Sequence, residues 1–192
     1  MKKVFLDCGS NMGQGLHSIY NSQGMDYAWH IYCFEIMEEV SSLLEERDLF
    51  KSHPNIQLIK KAVWVEDGTL PLTLDHEKGI SDFGGATNIM GDNWIQPNYL
   101  KHEIVKNARE VETINFSKFL SDNFTKDDFL VVKLDIEGAE YEVLEKLIAD
   151  NTLGLINVLY VEWHNHLRVN KCDENFLREQ INNQGIELHY WN

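Results

Sequence analysis

A chain of 192 residues, 43% hydrophobic and 25% charged, has ordinary globular composition and enough length for one domain with a buried core. The formal net charge of -14, from 17 basic against 31 acidic residues, argues against a general nucleic-acid surface and disfavours contact with an anionic membrane. Three cysteines, Cys8, Cys33 and Cys172, contain no C-x-x-C pair, so neither a disulfide framework nor a zinc ribbon is indicated.

Such cysteine usage fits a reducing compartment. The opening Val4-Phe5-Leu6 run is broken by Asp7, too early for the apolar region of a leader, and no stretch reaches membrane-spanning length. A soluble, cytoplasmic protein is therefore expected. Residues 4–6 read as a first strand ending at Asp7, followed by a glycine-rich turn at 9–15 and a helix at 16–22. A second strand at 29–34 ends at Glu35. Residues 37–49 form one helical pattern, with Met37, Val40, Leu43 and Leu44 as its buried stripe. Pro54 and Asn55 stop it before a third strand at 56–59.

Residues 62–65 and 70–74, joined by Glu66-Asp67-Gly68, read as an antiparallel hairpin whose second arm lies at a sheet edge because of Pro71. Residues 79–97 carry Gly79, Gly84, Gly85 and Gly91 with little periodicity, as expected of a lid or substrate loop. A strand at 111–114 and a helix at 116–123 restore order. The strongest apolar run, Phe129-Leu130-Val131-Val132, reads as a central strand through Asp135. A helix at 138–149, a strand at 156–161, a helix at 174–183 and a strand at 186–190 follow. Alternating strands and helices without repeat or linker predict one α/β domain over 1–192, with a mostly parallel sheet.

Four motifs carry chemistry. The first is Asp7-Cys8-Gly9-Ser10-Asn11-Met12-Gly13-Gln14-Gly15, at the strand edge where open α/β sheets bind ligands. Gly9 and Gly13 permit a tight turn and close approach of backbone to ligand. The spacing is neither G-x-G-x-x-G nor a phosphate loop. Asp7 would repel a pyrophosphate and suits a cofactor bearing an ammonium and a sulfonium, which favours S-adenosylmethionine over a nicotinamide dinucleotide. Second, Glu35 ends the next strand about 20 residues on, where an acid accepts ribose hydroxyls.

The third motif is Lys133-Leu134-Asp135-Ile136-Glu137-Gly138-Ala139-Glu140. Alternation puts Lys133 and Asp135 on one face, and a buried lysine needs a carboxylate partner. Asp135 should project beside the first loop. Glu140 reads as an acid placed in a first helical turn by the macrodipole. The fourth, Glu162-Trp163-His164-Asn165-His166, ends another strand, and His164 is a candidate general base. Asp135, Glu137, Glu162 and His164 could instead hold a hard divalent ion. No specific ligand spacing supports that, and a metal is not expected.

The segments Val4-Phe5-Leu6-Asp7-Cys8-Gly9-Ser10-Asn11-Met12-Gly13, Phe34-Glu35, Lys61-Ala62-Val63 and 133–140, in this order and spacing, resemble the FkbM-type methyltransferase family over roughly residues 4–165. The resemblance implies a Rossmann-like class I methyltransferase sandwich with helices on both faces of the sheet. It implies S-adenosylmethionine as methyl donor and commonly a hydroxyl acceptor. By position it sets Asp7, Gly9 and Asn11 around the methionine part, Glu35 on the ribose and Ala62-Val63 near the adenine. With Ser10, Gly13 and Asp135, these make the candidate cofactor set.

Seven-stranded methyltransferases usually end in an antiparallel strand pair, and only residues 186–190 are left for it. That edge is then shortened, or completed by residues 64–74 or a second subunit. The expected reaction is methyl transfer to a hydroxyl of a small-molecule, glycan or lipid acceptor. Asp135, Glu137 and His164 are the catalytic candidates, with Asp135 or His164 as base and Glu137 in support. The rival is a non-catalytic nucleoside-binding or protein-interaction module on the same fold.

Overall fold

The computed structural model describes residues 1–74, 87–89, 109–164 and 174–191. A first sheet contains β1 (Lys3–Cys8), β2 (His30–Phe34), β3 (Ile56–Ile59), β8 (Phe129–Leu134), β9 (Val158–Val161) and β10 (Glu187–Tyr190). Its order is β10-β9-β8-β1-β2-β3, and every pairing is parallel. Around it run α1 (Gln14–Ser22), α2 (Glu38–Glu45), α3 (Asp48–Ser52), α4 (Phe116–Asn123), α5 (Glu140–Ala149) and α6 (Glu174–Asn183). The topology is that of a doubly wound α/β fold, whose ligands sit at the carboxyl ends of the strands beside the switch between β1 and β8.

The alternation of side chains along β1 explains the layering. Val4, Leu6 and Cys8 face a core shared with Leu120 of α4, Leu144 of α5 and Ile181 of α6. Phe5 faces the opposite core, with Leu16 and Ile19 of α1 and Leu44 of α2. Because both faces are covered, the central strands read as continuous apolar runs, and each buried Leu, Val or Phe contributes about 1.5–3 kcal/mol. Asp7 and Lys133 interrupt this pattern on the α1 side.

Several expectations need correction. The helix foreseen over 37–49 divides into α2 and α3, because Arg47 takes an extended conformation (φ -66, ψ 142) and its Nε donates to the Met12 carbonyl at 3.1 Å. Leu43, assigned to the buried stripe, is 46% exposed. Strand β8 stops at Leu134, and α5 starts at Glu140, since Glu137 (φ 54) and Gly138 (φ 99) turn the chain in left-handed conformations.

The hairpin is also different. β4 (Ala62–Trp64), β5 (Gly68–Leu74), β6 (Thr87–Ile89) and β7 (Arg109–Asn115) form a second sheet ordered β4-β7-β5-β6. β7 enters between the two arms, parallel to β4 and antiparallel to β5. The turn holds it there: Thr113 Oγ1 donates to the Glu66 carbonyl at 2.8 Å, and the Asn115 amide donates to Asp67 Oδ1 at 2.9 Å. β5 is consequently not an edge strand. Pairing with β6 begins only at Leu72, which leaves Pro71 paired through β7 alone among the described residues.

At the other end β10 lies parallel to β9 at the edge of the first sheet, and residues 64–74 do not complete that edge. Of the expected lid at 79–97, only the strand β6 falls within the described residues. No helix among the described residues is long and apolar enough to cross a membrane.

The pairing of β5 with β7 is open to direct test. Thr69 and Glu112 stand opposite each other in the antiparallel register, where Cβ atoms lie about 4.5–5.5 Å apart, close to disulfide range. In a Cys172→Ser background, Thr69→Cys with Glu112→Cys should form an intramolecular disulfide on mild oxidation, read by thiol titration and mass spectrometry. Cys8 and Cys33 leave two free thiols in the unfolded protein when the disulfide forms; four persistently free thiols would mean that β5 pairs elsewhere.

Candidate active site

The turn after β1 is shaped by what lies beneath it. Gly9 has φ 78, and a Cβ there would sit 1.8 Å from the Asp135 carbonyl oxygen, so the backbones of the two turns touch and only glycine fits. The Gly9 and Ser10 amides both donate to the Phe34 carbonyl, at 3.1 and 3.0 Å. Ser10 Oγ donates to the Asp7 carbonyl at 2.7 Å, and Gly13 closes the turn by donating to the Ser10 carbonyl at 2.8 Å. The loops after β1, β2 and β8 are thereby fastened together at one sheet edge.

Glu35 bridges two of them. Its Oε2 accepts from the Asn11 amide at 2.8 Å and its Oε1 from the Met37 amide at 2.9 Å. Asn11 is itself in a left-handed conformation, φ 47, which aims that amide at the carboxylate. Glu35 is 8% exposed. Burial pushes its carboxyl above the usual range, while the Met37 and Asn11 amides pull it back. Each oxygen retains a lone pair for a further donor.

Lys133 lies in the floor. It is 1% exposed, and its Nζ sits 3.0 Å from Asp135 Oδ2, 3.4 Å from Asp7 Oδ1 and 2.9 Å from the Gly9 carbonyl. Trp191 donates from Nε1 to the same Asp135 oxygen at 3.2 Å, and its ring centroid is 5.5 Å from the Nζ. Burial works against the ammonium, but Asp7 and Asp135 outweigh it and hold the lysine charged. Burial also raises the Asp7 carboxyl, with Lys133 opposing. Gly15 of α1 covers this pair; a Cβ there would meet the Lys133 Cδ at 2.6 Å.

Beside the floor stands a group of acids around one imidazole. His164 is 6% exposed; its Nδ1 is 3.0 Å from Glu140 Oε1, and its Nε2 is 3.6 Å from Glu137 Oε2 and 3.4 Å from Glu162 Oε1. Burial opposes the charged ring, but the hydrogen bond and charge of Glu140, with Glu137 and Glu162, push it up to about 9. Glu137 is pushed up to about 7 by burial, with Asp135, Glu140 and Glu162 adding and His164 opposing.

These elements border a solvent-open cleft lined by Gly9, Phe34, Glu35, Ile36, Lys61, Ala62, Val63, Asp135, Ile136 and Glu137. Of the residues singled out in the sequence, Gly9, Glu35, Ala62, Val63, Asp135 and Glu137 are brought together as its walls. Asn11 reaches it through its amide on Glu35, while Ser10 and Gly13 shape the turn. Asp7 faces Lys133 instead of the cleft, and His164 stands behind Glu137.

Donor atoms of Asp135, Glu162 and His164 lie within 4.8 Å of one another, a hard set of the type that holds divalent ions. Against that use, Lys133 and Trp191 both donate to Asp135 Oδ2. The contacts on both nitrogens of His164 are those of an imidazolium. Sequence reasoning missed Glu140, whose first-turn position had an ordinary explanation, and Trp191, whose partner is 56 residues away. It also missed the apolar wall residue Ile36, for which adjacency to Glu35 was the available signal.

The charged imidazole carries a stability signature. His164 in the folded chain titrates near 9, above the unfolded value of 6.5, so its contribution is complete below about 6.5 and disappears as pH rises through about 9. Glu137, raised from 4.5 to about 7, acts in the same direction, because the folded state holds a proton that the unfolded chain releases. Urea midpoints should therefore fall between pH 7 and 9.5, and His164→Gln should flatten this fall by roughly 1–3 kcal/mol. Stability constant or rising over that interval in the unmutated protein would contradict the imidazolium.

The Methyltransferase FkbM domain family matches residues 7–186, which includes every strand of both sheets except the start of β1 and the whole of β10. No curated protein and no solved structure matches the chain. The match covers nearly the whole chain and agrees with the parallel sheet, the glycine turn and the acidic strand ends: the chain belongs to the FkbM methyltransferase domain family and is a methyltransferase.

Proposed function

We propose that the protein transfers the methyl group of S-adenosylmethionine to a hydroxyl of a small-molecule, glycan or lipid acceptor. The observation that carries this reading is Glu35. Two backbone amides fix its carboxylate at the end of β2, on the same cleft as Gly9 and Asp135. A carboxylate so held suits the paired hydroxyls of a ribose, and it would repel a phosphate. The residues fit the donor along the cleft: Ile36, Ala62 and Val63 offer an apolar wall to an adenine, while Gly9 and Asp135, whose backbones touch, line the cleft where the methionine part would lie. When bound, S-adenosylmethionine supplies a methyl group already activated by a positively charged sulfur.

The chain's own work is then to hold, orient and deprotonate. Asp135, restrained by Lys133 and Trp191, contributes fixed negative charge beside the cationic end of the donor. Glu137 is our candidate base in preference to Asp135 and His164. It lines the cleft and titrates near neutrality, where a base combines availability with driving force. His164 holds its proton at neutral pH, so it supports Glu137 as a cation. A Glu137 oxygen would take the proton of the acceptor hydroxyl as that oxygen receives the methyl group, with the sulfur–carbon bond broken and S-adenosylhomocysteine left as the neutral product.

Calorimetry with S-adenosylmethionine, S-adenosylhomocysteine and NAD tests the donor. The sulfur nucleosides should bind in preference to NAD, and Glu35→Ala should weaken them by about 1–3 kcal/mol. Tight NAD binding without response to either sulfur nucleoside would overturn the assignment. Labelled methyl transfer across a panel of hydroxylated acceptors tests the chemistry: Glu137→Gln should reduce turnover roughly 10²–10⁴-fold while donor affinity changes little. Donor binding with no transfer to any acceptor would favour a non-catalytic nucleoside-binding module. Chelator should leave transfer intact; loss restored by Mg²⁺ would instead make Asp135, Glu162 and His164 a metal site.

A further inference from the structure

Glu140 is wholly buried, yet it opens a helix whose first turn would ordinarily face water. One of its oxygens does two things. Oε1 accepts the backbone amide of Ile136 at 2.8 Å, and it stands 3.0 Å from His164 Nδ1. The first contact is local, a carboxylate four residues on reaching back to the turn that precedes its helix, and any helix start could use it. The second is not, since it joins the start of α5 to the end of β9, 24 residues away. Between the two anchored points lies Glu137, a non-glycine residue in left-handed conformation (φ 54), followed by Gly138 (φ 99).

We propose that Glu140 is a positioning residue for Glu137, acting through His164. With Nδ1 bound to Glu140, the ring can rotate little, and its Nε2 is presented to Glu137 Oε2 at 3.6 Å and Glu162 Oε1 at 3.4 Å. The amide contact restrains the same turn from its other side at Ile136, itself part of the cleft wall. A carboxylate in this place also retains the Nδ1 proton of the charged ring and fixes the ring's orientation, as second-layer carboxylates do for other functional histidines. Glu140 touches neither donor nor acceptor in this arrangement. Its effect reaches the cleft only by fixing where the Glu137 carboxyl stands. This inference rests on the reading of Glu137 as the base.

Glu140→Gln separates the two contacts. Glutamine serves the local helix-start role as well as glutamate does, so the fold should persist, but it lacks the charge that retains the Nδ1 proton. The first measurement needs no turnover. In protein with ¹⁵N-labelled histidine, with the His164 signal assigned from its loss in His164→Gln, Nδ1 should be protonated at pH 7.5. Glu140→Gln should abolish or strongly shift that signal. The second is kinetic, by labelled methyl transfer: Glu140→Gln should lower kcat at least tenfold with the dissociation constant of S-adenosylhomocysteine changed less than twofold. Glu140→Gln with His164→Gln should be no worse than His164→Gln alone, because both changes act on one linkage.

An unshifted His164 signal, unchanged kcat, or additive losses in the double variant would each overturn the positioning role. Failure of the base assignment looks different: Glu137→Gln would then keep full turnover while the His164 signal still responded to Glu140→Gln.

Discussion

Lys133 brings a positive charge into a sheet whose central strands are, Asp7 apart, apolar at their buried positions, and the site is arranged around that charge. An ammonium so deeply buried is costly unless its partners surround it. Asp7 from β1, Asp135 from the turn after β8 and the Gly9 carbonyl supply them. Asp7 and Lys133 are direct register neighbours on adjacent parallel strands, so the ion pair straddles the strand switch where this fold opens its cleft. Gly15 lets α1 come down over the pair, and Trp191 closes it from the end of the chain beyond β10. Removing Lys133 would leave the wholly buried Asp7 without its opposing charge, which is more damaging than the loss of a surface pair.

From that floor the geometry of the cleft follows. Tying Gly9 to Lys133 and packing it against the Asp135 carbonyl leaves the β1 turn little freedom. The Asn11 amide is thereby directed to Glu35, and Glu35 is fixed at both oxygens before any ligand arrives. Preorganised acceptors of this kind avoid the entropy cost of ordering a side chain on binding. The second cluster, around His164, is built by the same logic: one cation held among carboxylates, one of which, Glu137, lines the cleft.

Much of the architecture was legible in the sequence because burial on both faces leaves a continuous apolar signature. Residues 4–6, 129–132 and 156–161 carry it, and the glycine turn with Glu35 marks the ligand edge. Alternation puts Lys133 and Asp135 on one face, and the cost of burying a lysine calls for a carboxylate partner without saying which one. The intrusion of β7 between β4 and β5 was not legible, since adjacency in sequence favours a hairpin and the competing contacts of Thr113 and Asn115 come from about 47 residues away. Asp7 offered a charge at the ligand edge, but whether a strand-end carboxylate faces a ligand or a neighbouring strand depends on the partner across the register. His164 looked like a base for a related reason: its own sequence surroundings show one acid, Glu162, and the other two arrive from α5 and the turn before it.

The central claim is that one cleft, floored by the Lys133 network, holds a sulfur nucleoside with its ribose on Glu35 and its reactive end beside Asp135 and Glu137. A crystal structure with S-adenosylhomocysteine bound tests it most directly. The account predicts both ribose hydroxyls within hydrogen-bond distance of the Glu35 carboxylate, the adenine against Ala62 and Val63, and the sulfur nearest Asp135 and Glu137. A nucleoside bound elsewhere, or in this cleft with its ribose turned away from Glu35, would contradict it.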